Sequence, residues 1–169
     1  MANKSVYLPA GTGRAYWGAG DTYTFLVTGE ESGGGYFTML ADIPPGSGPP
    51  PHIHHREEEQ FYVLEGEVTF RIGHKTVSAS AGDFVHIPRE TIHNFNNTGK
   101  TRARMLITYS PAGIEKLFEA VFQPVTNPSA VPLPMTEESF AQFAAVEAQY
   151  GMETLRPGDP RLVQEGENQ

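Results

Sequence analysis

Apolar and polar residues alternate through the first two thirds of the chain, in short runs broken by Gly, Pro, Asn and Asp. A period of two places one face of a strand in a core and the other in water. Residues 22–28 (TYTFLVT) are β-branched and aromatic and predict a strand. Residues 30–35 predict a turn, 36–43 the next strand, and 44–51 a rigid loop rich in Pro and Gly. Residues 59–64 and 67–72 predict two more strands, with Val68, Phe70 and Ile72 on one face. Gly73-His74-Lys75 turns the chain, and short strands follow at 76–79 and 84–87 around Ala81-Gly82-Asp83. Residues 93–97 lead into the turn Asn97-Thr98-Gly99, and 102–109 form the last long strand. The first 20 residues read as an irregular lead-in holding one edge strand. Strands this short and this evenly spaced predict a sandwich or closed barrel.

After Pro111 the period changes. Ile114, Leu117, Phe118, Val121 and Phe122 recur at helical spacing. Residues 124–134 read as a linker or a strap over the barrel. Thr136 is the expected N-cap, with Glu137 and Glu138 in the first turn, of a helix reaching about Tyr150. Its expected buried stripe is Phe140, Phe143, Ala144 and Val146. Residues 157–169 are polar and predict a frayed tail. There is no internal repeat, so one barrel is expected. Residues 1–113 would form it, with 114–169 as a helical extension packed on the same domain.

Composition narrows the chemistry. The chain has 169 residues, room for a substantial single core. Twelve basic against 20 acidic residues give a net charge of −8. No Lys/Arg cluster stands ready to neutralise phosphates, so neither a nucleic acid nor an anionic membrane is an expected partner. The absence of cysteine excludes thiolate ligands, disulfides and cysteine nucleophiles. No signal peptide or membrane-length apolar run is apparent, and a soluble cytoplasmic protein is the expectation.

Four residues then stand out: His52, His54, Glu59 and His93. Alternate residues of a strand share a face, so both imidazoles of His52-Ile53-His54 reach one ion. Glu59 returns after a bend, and His93 comes from another strand. Three neutral imidazoles and a carboxylate suit one divalent first-row metal (Fe, Mn, Ni, Co, Cu or Zn) and leave a coordination position open. The neighbouring histidines read as ordinary: His55 at the surface or behind the ligands, His74 in a solvated turn, His86 structural. Glu57 and Glu58 read as solvated charges. Phe61 and Phe95 each lie two residues past a ligand and share its face. They are the expected substrate-binding side chains, whereas Phe118 and Phe122 read as helix packing.

The spacing carries a resemblance. Gly46-x5-His52-x-His54-x4-Glu59-x6-Gly66 resembles the first conserved motif of the cupin superfamily at every marker position. Gly82-x5-Pro88-x-Glu90-x2-His93-x3-Asn97 resembles the second, with Glu90 where the family usually has Gly. The resemblance implies an all-β double-stranded β-helix, a jelly-roll barrel, here with C-terminal α-helices. Tyr16-Trp17, the Pro-rich approach to His52 and the exit Ser110-Pro111-Ala112-Gly113 make the chain similar to single-domain cupins grouped with flavonol (quercetin) 2,3-dioxygenases. That implies a dioxygenase on an aromatic small molecule, with dioxygen as co-substrate and Glu59 as catalytic base. Fold analogy adds a homodimer. The same ligands would also serve an isomerase, decarboxylase or lyase on a small oxygenated substrate, or a non-enzymatic binding barrel.

Overall fold

The computed structural model describes residues 4–127, 130 and 136–162. Parts of the expected linker (128–129 and 131–134) and tail (163–169) therefore lie outside the described residues. Two antiparallel sheets face each other. One contains β1 (Arg14–Gly18), β2 (Asp21–Val27), β3 (Phe37–Ile43), β5 (Glu58–Glu65), β8 (Phe84–Ile87), β10 (Ala103–Ser110) and the short β11 (Gln123–Pro124). Its order is β11-β1-β2-β3-β10-β5-β8. The other contains β4 (His52–His54), β6 (Glu67–Ile72), β7 (Lys75–Ser80), β9 (His93–Asn96) and β12 (Met152–Thr154), in the order β12-β4-β9-β6-β7. This is the jelly-roll arrangement that the resemblance implied, with the two facing layers that the alternating pattern predicts.

Burial follows the period-two pattern. In β3 every second residue is buried, Phe37, Met39, Ala41 and Ile43, and β10 repeats this with Ala103, Met105, Ile107 and Tyr109. The same core takes in Phe61 of the neighbouring strand β5 and Val68, Phe70 and Phe95 of the facing sheet. Phe61 and Phe70 meet edge-on at 5.0 Å between ring centroids, an arrangement favoured by the ring quadrupoles. Ile114, Leu117 and Phe118 of helix α2 (Glu115–Val121) and its approach join the same core. Helix α3 (Glu137–Val146) adds Phe143 and continues as a 3-10 turn to Tyr150. Thr136 caps α3 as expected, its hydroxyl accepting from the Ser139 N–H at 3.1 Å.

Three local features depart from expectation. Residues 30–35 hold helix α1 (Gly29–Ser32), closed by a capping box between Thr28 and Glu31 and ended by Gly33 in the left-handed region. β1 is not an edge strand, because β11 pairs along its outer side. β12 has no counterpart in the sequence pattern. Three residues are too few for a period, and β12 exists because β4 presents a free edge for it, pairing Met152 with His54 and Thr154 with His52.

Gly66 and Gly82 occupy left-handed turns, at φ +77° and +97°. Gly48 answers a closer constraint. A Cβ there would lie 2.1 Å from the Phe95 carbonyl oxygen, so only glycine lets the 44–51 loop lie against β9. Glu90 is the exception to the rule. It stands at φ +65°, a region that disfavours a Cβ. Its N–H donates to the His54 carbonyl at 2.9 Å, and its carboxylate meets His55 Nδ1 at 2.8 Å. That exposed pair offsets little of the backbone penalty. Glu90→Gly is therefore expected to raise unfolding stability by about 1 kcal/mol, measured by urea denaturation. A drop would show that the His55 contact outweighs the backbone term.

Candidate metal centre

The histidines arrive on the smaller sheet and the carboxylate on the larger one. β4 carries His52 and His54, β9 carries His93, and His52 stands opposite His93 in the register. Glu59 lies on β5, opposite Tyr109 of β10. The site thus joins the two layers. Asn97, expected only as a turn residue, anchors the approach. Its side chain donates to the Ile43 and Thr101 carbonyls at 2.8 Å each and accepts from the Gly99 N–H. Its backbone bonds both Gly46 and Ser47. The loop before His52 is tied by this one residue to the end of β9.

All four side chains are buried, and one ligand atom from each lies within 4.8 Å of the others. Ligands about 2.1 Å from one ion stand at most ~4.2 Å apart, so small side-chain shifts close the set. The tautomers agree. His52 Nδ1 donates to the Pro50 carbonyl at 2.9 Å, and His93 Nδ1 to the Thr91 carbonyl at 2.8 Å. Nε2 of each ring then faces inward, the orientation that outer hydrogen bonds impose on metal-binding histidines. His93 Nε2 is 2.7 Å and His54 Nε2 3.4 Å from Glu59 Oε2. Neither ring nitrogen of His54 has a hydrogen bond that satisfies it, which is costly for a buried group and fits an ion as the missing partner.

Electrostatics follow from burial and pairing. Burial lowers the His52 imidazole well below its ordinary value, and the neighbouring His93 and His54 push the same way. Neutral His52 is the form that ligates. Burial alone would raise the Glu59 carboxyl, but the close approach of the His54 and His93 imidazoles outweighs it and holds Glu59 well below the usual carboxylate range. Burial also opposes protonation of His93, and its hydrogen bond to Glu59 more than reverses this.

Glu57 is not the solvated charge expected from its neighbours in sequence. It is 2 % exposed, with Oε2 lacking a hydrogen bond 3.9 Å from His54 Nδ1. Motif spacing gave no sign of it, because its burial comes from the loop between β4 and β5. Glu58 is half exposed and pairs with Arg89 at 3.5 Å. His55 lies between Glu90 and Glu153 at the surface, and His74 and His86 are exposed.

A cavity opens on His52, His54 and Glu59. Its walls are Tyr23, Met39, Phe95, Ile107 and Tyr109 of the barrel, with Phe118, Phe122, Phe140 and Phe143 of the helical segment. The cavity volume is about 50 Å³, within about 580 Å³ of empty space that includes open solvent. Of the two expected pocket residues, Phe95 lines it. Phe61 does not: it lies one step deeper along β5, 1 % exposed between Phe70 and Phe95. Phe118 and Phe122 pack the helix, as expected, and also wall the cavity. Sequence reasoning missed Tyr109 and Tyr23, because inward aromatics of a barrel strand look alike until the cavity is known. Burial, with the Glu59 charge facing it, keeps the Tyr109 phenol well above its ordinary value and so neutral. Tyr23 donates to Asp21 Oδ2 at 2.9 Å, and Asp21 is fully buried.

Residues 39–109 match the family model described as Cupin domain. The chain carries a cupin domain. A curated relative, quercetin 2,3-dioxygenase of Bacillus subtilis (strain 168), is 27 % identical over 77 residues, 45 % of this chain. The match spans only 23 % of that protein's length. Among solved structures, a predicted oxalate decarboxylase from Thermotoga maritima superposes with TM-score 0.59 at 24 % identity, covering 63 % of this chain and 99 % of the other. KdgF from Halomonas sp. gives 0.59 at 16 % identity, covering 68 % and 99 %. An RmlC-like cupin from Shewanella frigidimarina gives 0.56 at 20 % identity, with the same coverages. At these identities the structural likeness speaks to the fold. Among the described residues no helix is long and apolar enough to cross a membrane.

Elemental mass spectrometry is expected to find about one first-row ion per wild-type chain and none in His52→Ala. Glu57→Ala should keep that stoichiometry and bind the metal 10–100-fold more weakly, as loss of a ligand-orienting carboxylate does. Full metal in His52→Ala would reject the ligand set.

A second test concerns Asp21. Burial raises its carboxyl from 3.8 to about 7, with the nearby Ser47 hydroxyl and the Tyr23 hydrogen bond opposing. The folded state keeps a proton that the unfolded chain has released, so this group's stability contribution falls as pH rises from 4 to 7. The fall is on the order of 4 kcal/mol. Asp21→Asn should therefore gain stability over the wild type as pH rises from 4 to 7, measured by urea unfolding at several pH values. A difference independent of pH would contradict this.

Proposed function

We propose that the protein is a metal-dependent dioxygenase acting on flavonol-type aromatic substrates. One observation carries the reading: the buried His/Glu centre opens onto a cavity whose walls are aromatic and aliphatic, with no Lys or Arg among its lining residues. Such walls suit a flat apolar ring and offer nothing to a free carboxylate. The match to quercetin 2,3-dioxygenase supports the same class.

His52, His54, His93 and Glu59 would hold the ion. When bound, a divalent redox-active ion supplies Lewis acidity at a substrate hydroxyl and an electron path to dioxygen. The chain's own groups do the rest. Glu59, kept ionised by its histidine partners, accepts the substrate hydroxyl proton at Oε2. Tyr109, neutral and facing Glu59, stays a hydrogen-bond donor beside it. Phe118, Phe122, Phe140 and Phe143 close over the ring and exclude water. A cavity of about 50 Å³ is small for a flavonol, so ring entry requires these phenylalanines to part at the mouth. Cytoplasmic location and a homodimer belong to the same proposal. The exposed cross-strand pair Tyr62 and Phe84, on β5 and the edge strand β8, supports pairing of copies.

The small enclosed volume favours a second reading, non-oxidative isomerisation, decarboxylation or lysis of a small oxygenated substrate on the same ligands. Oxygen consumption separates the two. Wild-type protein reconstituted with iron, manganese, cobalt, nickel or copper should consume dioxygen with a flavonol. Glu59→Gln should lose turnover by at least about 10²-fold while still binding flavonol in part. Full activity in Glu59→Gln would remove the base role, and no oxygen uptake with any of these metals would favour the second reading.

A further inference from the structure

Tyr23 in the cavity wall, and Asp21 bonded to it from behind, are polar groups that neither metal binding nor proton transfer uses. Both point inward from β2, two residues apart on one face. Tyr23 is 4 % exposed, its ring stacked on Phe122 at 5.5 Å, and it lines the cavity. Its phenol lies within electrostatic reach of Glu59 and Tyr109. Asp21 accepts the Tyr23 O–H through Oδ2, and its other oxygen has no partner that meets hydrogen-bond geometry. Ser47, close by, is turned to the Ala19 carbonyl at 3.3 Å. A fully buried carboxyl with one empty oxygen destabilises a small barrel, and nothing in the packing requires it.

We propose that Tyr23 is a specificity-determining residue, a second polar anchor set apart from the metal, with Asp21 as its positioning residue. The inference rests on the flavonol reading and deepens it. Because the phenol proton is committed to Asp21, the Tyr23 oxygen presents its remaining lone pairs to the ligand. It therefore selects a hydrogen-bond donor. The ligand class is an aromatic that chelates the ion through one edge and carries a further hydroxyl on a distant ring. An unsubstituted ring would leave the Tyr23 acceptor unpaired, and an apolar-walled site discriminates strongly on that ground.

The test is equilibrium binding of two flavonols, quercetin and 3-hydroxyflavone, to metal-loaded protein kept anaerobic, followed by their absorbance shift. Quercetin carries distant-ring hydroxyls and 3-hydroxyflavone has none. Metal content is measured for every sample. Tyr23→Phe is expected to weaken quercetin about tenfold and to leave 3-hydroxyflavone within about twofold. Asp21→Ala should reproduce that selective loss. Asp21→Asn, which still offers the phenol an acceptor, should retain most of the wild-type preference. Equal weakening of both flavonols by Tyr23→Phe, or of neither, overturns the anchor while leaving the flavonol reading intact. Wild-type protein that holds its metal and binds neither flavonol overturns both.

Discussion

Glu59 is the constraint on which the rest depends. A carboxylate 2 % exposed in a barrel this size is tolerable only if charge and hydrogen bonds meet it at once. It sits on one sheet, and the groups that meet it, His54 and His93, sit on the other. The two layers must therefore close in one register for the charge to be satisfied. Around that point the structure is over-determined. Asn97 ties the His52 loop to β9, Gly48 lets that loop approach the Phe95 carbonyl, and β12 covers the free edge of β4. The fixed geometry around the ligands is what a metal site requires of a protein.

The cavity is made by a different logic. The barrel supplies its floor and the helical segment supplies much of its wall. Phe118 and Phe122 stack face to face at 4.9 Å, and Phe122 in turn stacks with Tyr23 and Phe143. This aromatic chain links α2, α3 and β2 across the mouth. Its contacts are non-directional burial plus modest ring–ring terms of roughly 1 kcal/mol each, so rearrangement there is far easier than at the ligands. A rigid His/Glu group beneath a softer aromatic cover is the arrangement on which the proposed function rests.

How much of this was legible in the sequence differs by element. The strands of the barrel were readable because period two is imposed locally: β3 and β10 bury every second residue over their whole length. The cap of α3 was readable because Thr136 acts on a residue three positions away. The grouping of His52, His54, Glu59 and His93 was readable because each motif is short and its spacing carries the geometry. Glu57 was read wrongly. A run of four charged residues, Arg56 to Glu59, says nothing about which carboxylate the loop will turn inward. Phe61 and Phe95 looked equivalent, each two residues past a candidate ligand, yet only Phe95 reaches the cavity, while Phe61 packs against Phe70 and Phe95.

The sequence by itself determined the all-β alternation, the helical C-terminal segment and the identity of His52, His54, Glu59 and His93, since each depends on residues near one another in the chain. Tertiary structure alone decided the pairing of β12 with β4, the burial of Asp21 and Glu57, and the partnership of Tyr23 and Tyr109 with the site. Those depend on which surfaces meet when two sheets close. A free strand edge or an inward face acquires its meaning only from a partner many residues away, and no local pattern records that distance.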